Sequence, residues 1–140
     1  MTRLLKTSGF LGLATMMVVG LYQAYLLSPP NPQAVPGWVV GGHAHLGVLS
    51  ILALVMGFAV VAYGLVGRMR QAVSGLFVVG QWGVPLTVWG AELTGIGIIH
   101  ITTFIWGAAL VVSMLLMAYT AATTDAVIGG DGRSGVQPAD

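Results

Sequence analysis

Four stretches of this 140-residue chain are long and almost free of charge: Gly9 to Leu27, His43 to Val66, Ala72 to Gly95 and Ile96 to Thr120. Each is long enough to cross about 30 Å of hydrocarbon at about 1.5 Å per residue. In that setting the backbone must satisfy its own hydrogen bonds, which only helices and closed barrels achieve, and these runs lack the alternation of barrel strands. Charged residues make up 6% of the chain, against about 25% in soluble domains. The expected fold is therefore an all-α membrane protein, a four-transmembrane-helix bundle over residues 1–122. The segment 123–140 ends in "GGDGRSGVQPAD", has little to bury, and reads as a disordered tail.

Direction follows from the basic residues. Arg3 and Lys6 precede the first span, and Arg68 and Arg70 join the second to the third. The positive-inside rule then puts both chain termini in the cytoplasm of a multi-pass cell-membrane protein. Between the first two spans, "SPPNPQAVPGW" carries four prolines and no charge, and predicts an extended outer loop. Arg3 and Lys6 before an apolar core also resemble a signal peptide, but the core is long and no A-x-A site closes it, so a retained helix is expected.

Absent cysteine excludes disulfides and thiolate chemistry, leaving histidine and carboxylate to supply any reaction. A net charge of +1 with scattered Lys and Arg offers no nucleic-acid footprint. With the spans oriented, the polar residues fall at one level. His43 and His45 open the second span, Glu92 closes the third, His100 lies one turn into the fourth, and Tyr22, Gln23 and Tyr25 end the first. A carboxylate inside a span costs about 2.5–3.5 kcal/mol on insertion scales, so Glu92 is expected to face the bundle interior or a cavity. Gln81, Pro85, Trp89 and Glu92 follow spacings that share one helical face. Pro85 is expected to kink the helix beside that face. Tyr22, Tyr25, Trp38, Trp89 and Trp106 read as interfacial belt or packing residues. Ala53, Gly57, Gly75, Gly80 and Gly83 let helices or a flat cofactor approach closely.

Residues two apart on a helix are separated by about 200° around its axis, so His43 and His45 cannot chelate one metal together. One is expected to look into the bundle while the other looks toward a neighbour, a cofactor or the membrane surface. His45, His100 and Glu92 could supply three ligands to zinc. Haem needs only one or two axial imidazoles and a flat apolar slot, and suits this composition better.

Gly37-Trp38 followed by His45-Leu46-Gly47 near the start of the second span resembles styrene oxide isomerase and its relatives, small four-helix membrane proteins that bind haem b through that histidine. The resemblance covers the second and third spans best, roughly half the chain. It implies a homotrimer with haem between protomers, His45 as the axial ligand, and ferric iron acting as a Lewis acid that turns an epoxide into an aldehyde. It also implies His43, Gly47 and Trp82 as cofactor-binding residues, with His43 the alternative ligand because its distance from Trp38 lies closer to the family's. Glu92, Gln81 and His100 are then the candidate catalytic residues, polarising or positioning an apolar substrate that enters from the membrane lipid.

The substrate-positioning residues of that family are not matched. With Trp82 aligned on the family's tryptophan, Gly80, Val84 and Val88 stand where aspartate, asparagine and tyrosine are expected, and Ser50 and Ile51 where a further asparagine is. His-x-His-Leu also resembles the haem-copper oxidases and nitric oxide reductases, where two such histidines serve two haems, but this chain is far shorter than their core. Two other readings accompany the isomerase: a bis-histidine cytochrome b using His45 and His100 for electron transfer, and a cofactor-free accessory subunit.

Overall fold

The computed structural model describes residues 2–126. These form four long helices and no strand: α1 Thr2–Leu26, α2 Gly37–Ala62, α3 Gly67–Thr94 and α4 Ile98–Thr123. All four are long and apolar enough to cross a membrane, so the protein is a multi-pass helical membrane protein. The expected tail from residue 127 onward lies outside the described residues.

The helices start earlier than the apolar runs imply. α1 takes in Arg3 and Lys6, because a lysine at a helix end can lay its apolar stem along the bundle and keep its ammonium at the edge. The Lys6 stem crosses Gly57 of α2, and its Nζ stands 4.1 Å from the centre of the Phe58 ring. α2 begins at Gly37, directly after Pro36 in an extended conformation. His43 and His45 therefore sit about two turns inside the helix and not at its mouth.

The turns fix the order of packing. α2 ends in a Schellman arrangement: Gly64 takes φ 62°, its N–H reaches the Val61 carbonyl at 3.0 Å, and the Leu65 N–H reaches Val60 at 3.0 Å. Val60 and Leu65 then bury their side chains in one apolar cluster with Leu5, Met56, Val73, Phe77 and Met117. α3 runs unbroken through buried Pro85 and ends at Gly95, whose φ of 69° only glycine adopts at little cost. α4 follows within three residues and lies antiparallel to α3.

Each helix packs on the next in the chain, and α1 also touches α3. α4 rests on α3, with no more than marginal contact to α1 or α2 among the described residues. The bundle is thus a compact α1–α2–α3 unit with α4 laid against its α3 side. Small residues set the close approaches. A Cβ at Gly47 would strike Met16 of α1, one at Gly42 would strike Trp89 of α3, and one at Gly83 would strike Trp106 of α4. Gly57 and Gly80 likewise lie against neighbouring helices, so these glycines seat helices and not a flat cofactor, while the space at Gly75 is open.

Candidate functional site

Two polar groupings emerge, and they differ in how their hydrogen bonds are used. The first lies where α1, α2 and α3 meet. Ser8 Oγ donates to Gln81 Oε1 at 2.7 Å, and Gln81 Nε2 donates to Ser50 Oγ at 3.0 Å and to the Ser8 carbonyl at 3.2 Å. Trp82 Nε1 donates to Ser8 Oγ at 2.8 Å. Gln81 and Ser50 are 0% exposed. In this knot the Gln81 amide is committed to Ser8 and Ser50 in a sealed seam, and the Trp82 indole N–H is taken by the Ser8 hydroxyl.

The second grouping occupies the end of the bundle opposite the basic residues, here called the histidine end. The tight α3–α4 turn brings Glu92 and His100 together, with His100 Nε2 3.1 Å from Glu92 Oε1. Both side chains are open to the surroundings, at 46% for His100 and 43% for Glu92. Glu92 thus faces the rim and not the bundle interior, which a carboxylate within reach of headgroup water can do at lower cost. His100 also lines a groove of about 600 Å³ between α3 and α4, walled by Val84, Val88, Phe104, Gly107 and Val111.

The two histidines of α2 part company as helical geometry requires. His43 is half-buried and turned toward α1, with Cε1 3.2 Å from the Cβ position of Gly20 and its buried Nδ1 without a partner among the described residues. His45 is exposed on the other side, with Nδ1 2.7 Å from the Gly41 carbonyl. A carbonyl only accepts, so Nδ1 carries the proton and Nε2 holds the free lone pair. His45 lies in a shallow groove of about 300 Å³ with Ala44, Val48 and Leu49, all from α2.

Gly47 stands two residues from His45 and so about 200° away, and it is buried against Met16 on the α1 side. His45 and His100 line different grooves, on α2 and on α3/α4. No three His, Cys, Asp or Glu side chains gather among the described residues, so the three-ligand zinc set of His45, His100 and Glu92 is not assembled within this chain.

Ser8 was missed, although Ser8 and Gly12 form the small-xxx-small pattern that marks a close helix contact. The pairing of Thr87 with Thr103 across α3 and α4, at 2.9 Å, carries no sequence signal of its own.

Tyr22 and Tyr25 are exposed near the end of α1, in keeping with an interfacial belt, while Trp89 and Trp106 pack over glycines. Comparison with known proteins finds a family model described as a domain of unknown function (DUF8059), matched over residues 1–140. No curated protein and no solved structure matches the chain significantly.

Proposed function

The chain belongs to the DUF8059 family, and we propose that it is a haem b protein of the cell membrane in which His45 is the axial ligand. The observation that carries this reading is the hydrogen bond from His45 Nδ1 to the Gly41 carbonyl at 2.7 Å. Metal-binding histidines almost always donate their second ring nitrogen in this way, which fixes the ring and leaves the other nitrogen to ligate. His43 lacks that support, since its Nδ1 is buried and unpartnered among the described residues.

The surroundings of His45 suit an apolar macrocycle. Ala44, Val48 and Leu49 present hydrocarbon beside the imidazole, and no charged side chain lines that groove. One helix walls only one side of a planar group. A second copy of this chain supplies the opposite wall, which is why the reading includes a homo-oligomer, with a trimer as the form implied by the resemblance to styrene oxide isomerase. Bound there, ferric haem would supply a Lewis acid for opening an apolar epoxide to an aldehyde. This chain's own part is to hold the group through His45, to offer the iron no second ligand from the same face, and to keep water out with the α2 hydrocarbon. The bis-histidine cytochrome gains no support, because His100 lines another groove.

The test is the absorption spectrum of protein purified in detergent from cells supplied with a haem precursor. A Soret band is expected, lost in His45→Ala and kept in His43→Ala and His100→Ala. Colourless protein, or a His45→Ala variant with undiminished haem, defeats the proposal. Conversion of styrene oxide to its aldehyde by the haem-loaded protein then tests the activity.

A further inference from the structure

The groove between α3 and α4 plays no part in the reading based on His45. We propose that it binds a membrane-dissolved alcohol, an alkyl or isoprenoid chain lying along Val84, Val88, Phe104 and Val111 with its terminal hydroxyl donating to His100. Its volume of about 600 Å³ falls within the roughly 300–1,000 Å³ of small-molecule sites. The walls are almost wholly apolar, and their polarity is confined to two side chains, His100 and Thr103.

Those two differ in what they can offer. Thr103 is paired with the Thr87 hydroxyl at 2.9 Å, and Thr87 in turn bonds the Gly83 and Val84 carbonyls at 2.8 and 2.9 Å. His100 uses Nε2 for Glu92, and its Nδ1 makes no hydrogen bond among the described residues. With Nε2–H donating to the carboxylate, the neutral ring has its lone pair on Nδ1 and accepts a hydroxyl proton. Glu92 also selects the head group, since a carboxylate beside the histidine repels an acidic or phosphorylated head.

Placement gives the ligand its orientation. His100 is the third residue of α4, at the helix end, whereas Val84 and Val111 lie well along α3 and α4. A molecule lying there has its head at the membrane edge and its chain toward the middle, as a lipid-dissolved amphiphile lies within a leaflet. Gly107 widens the groove, because nothing stands within 4 Å of its Cβ position.

The experiment uses the full-length protein in lipid nanodiscs with a diazirine-bearing long-chain alcohol, its methyl ether and the corresponding carboxylic acid. Photolabelled positions are read by mass spectrometry. Label from the alcohol is expected at Val88, Phe104 and Val111, exceeding the ether and the acid by about threefold to tenfold, the worth of one hydrogen bond. His100→Ala should erase that preference. Gly107→Trp, or Ala108→Phe as a second filling variant, should abolish the groove label while leaving label on Phe10 and Val18 of α1. Equal labelling by alcohol and ether in the wild type, or groove label unchanged in both filling variants, overturns the proposal. His45→Ala is expected to label like wild type, so failure of the haem reading leaves this site standing.

Discussion

The knot around Gln81 and the histidine end are both polar, yet they treat their polar atoms in opposite ways. In the knot, Ser8, Ser50, Gln81 and Trp82 spend their side-chain hydrogen bonds on one another and on the Ser8 carbonyl, and Gln81 and Ser50 are sealed from their surroundings. At the histidine end, Gln23 Nε2, His43 Nδ1 and Trp89 Nε1 are buried without partners among the described residues, and Glu92, His100 and His45 are open. Hydrocarbon gives helices no hydrophobic reason to associate, so close packing and interhelical hydrogen bonds must do it. Polarity that is used up inside holds the fold, and polarity that is open at the rim, as at Glu92, His100 and His45, is available for ligands.

The largest expected effect lies in the knot. A Cβ at Gly12 would fall on the Ser50 hydroxyl and within 2.8 Å of Gln81 Nε2. Gly12→Leu must therefore push α1 away from α2 and α3, and a loss of monodisperse protein in size-exclusion chromatography is expected. A well-behaved Gly12→Leu protein would mean that the knot does not hold the three helices together.

Next in size is Gln81→Leu, which roughly keeps the size of the side chain but removes the donor to Ser50 Oγ and the acceptor of the Ser8 O–H, while Ser8 Oγ still accepts from Trp82. A loss of about 1–2 kcal/mol in reversible unfolding is expected, near the upper range of interhelical bonds in membranes because several are lost together. Haem content and the preference of the groove for alcohol should be unchanged. If Gln81→Leu instead removes a ligand without changing stability, the division between the two regions fails.

Much of this was legible in the sequence. Span number and order follow from runs of uncharged residues, and the opposed directions of His43 and His45 follow from the angle per residue. The same rule applied to Gly47 places it away from His45, on the face that packs against Met16. Helix starts were less visible, because Arg3 and Lys6 look like flanks by charge although their backbone is helical. The knot was hidden because Ser8 and Gln81 are 73 residues apart and only the packing of α1 on α3 brings them together. Gln81 in a span signals either a buried tie or a functional group, and only its partners decide which.

The smallest effect concerns His43, and its sign is informative. Its Nδ1 is buried with no acceptor or donor among the described residues, and its ring packs on Gly20. A buried polar group without a partner costs stability, whereas an apolar group of similar size does not. His43→Leu is therefore expected to leave unfolding stability unchanged or to raise it by up to about 1 kcal/mol. His45→Leu should behave differently in kind: its ring is exposed, so stability without cofactor barely changes, while haem content falls. A loss of about 2 kcal/mol or more in His43→Leu would mean that Nδ1 has a partner in the membrane, such as an ordered water reaching Gln23 or Trp89. The histidine end would then contain a saturated network of its own, and His43 would belong with Gln81 among the residues that hold the fold.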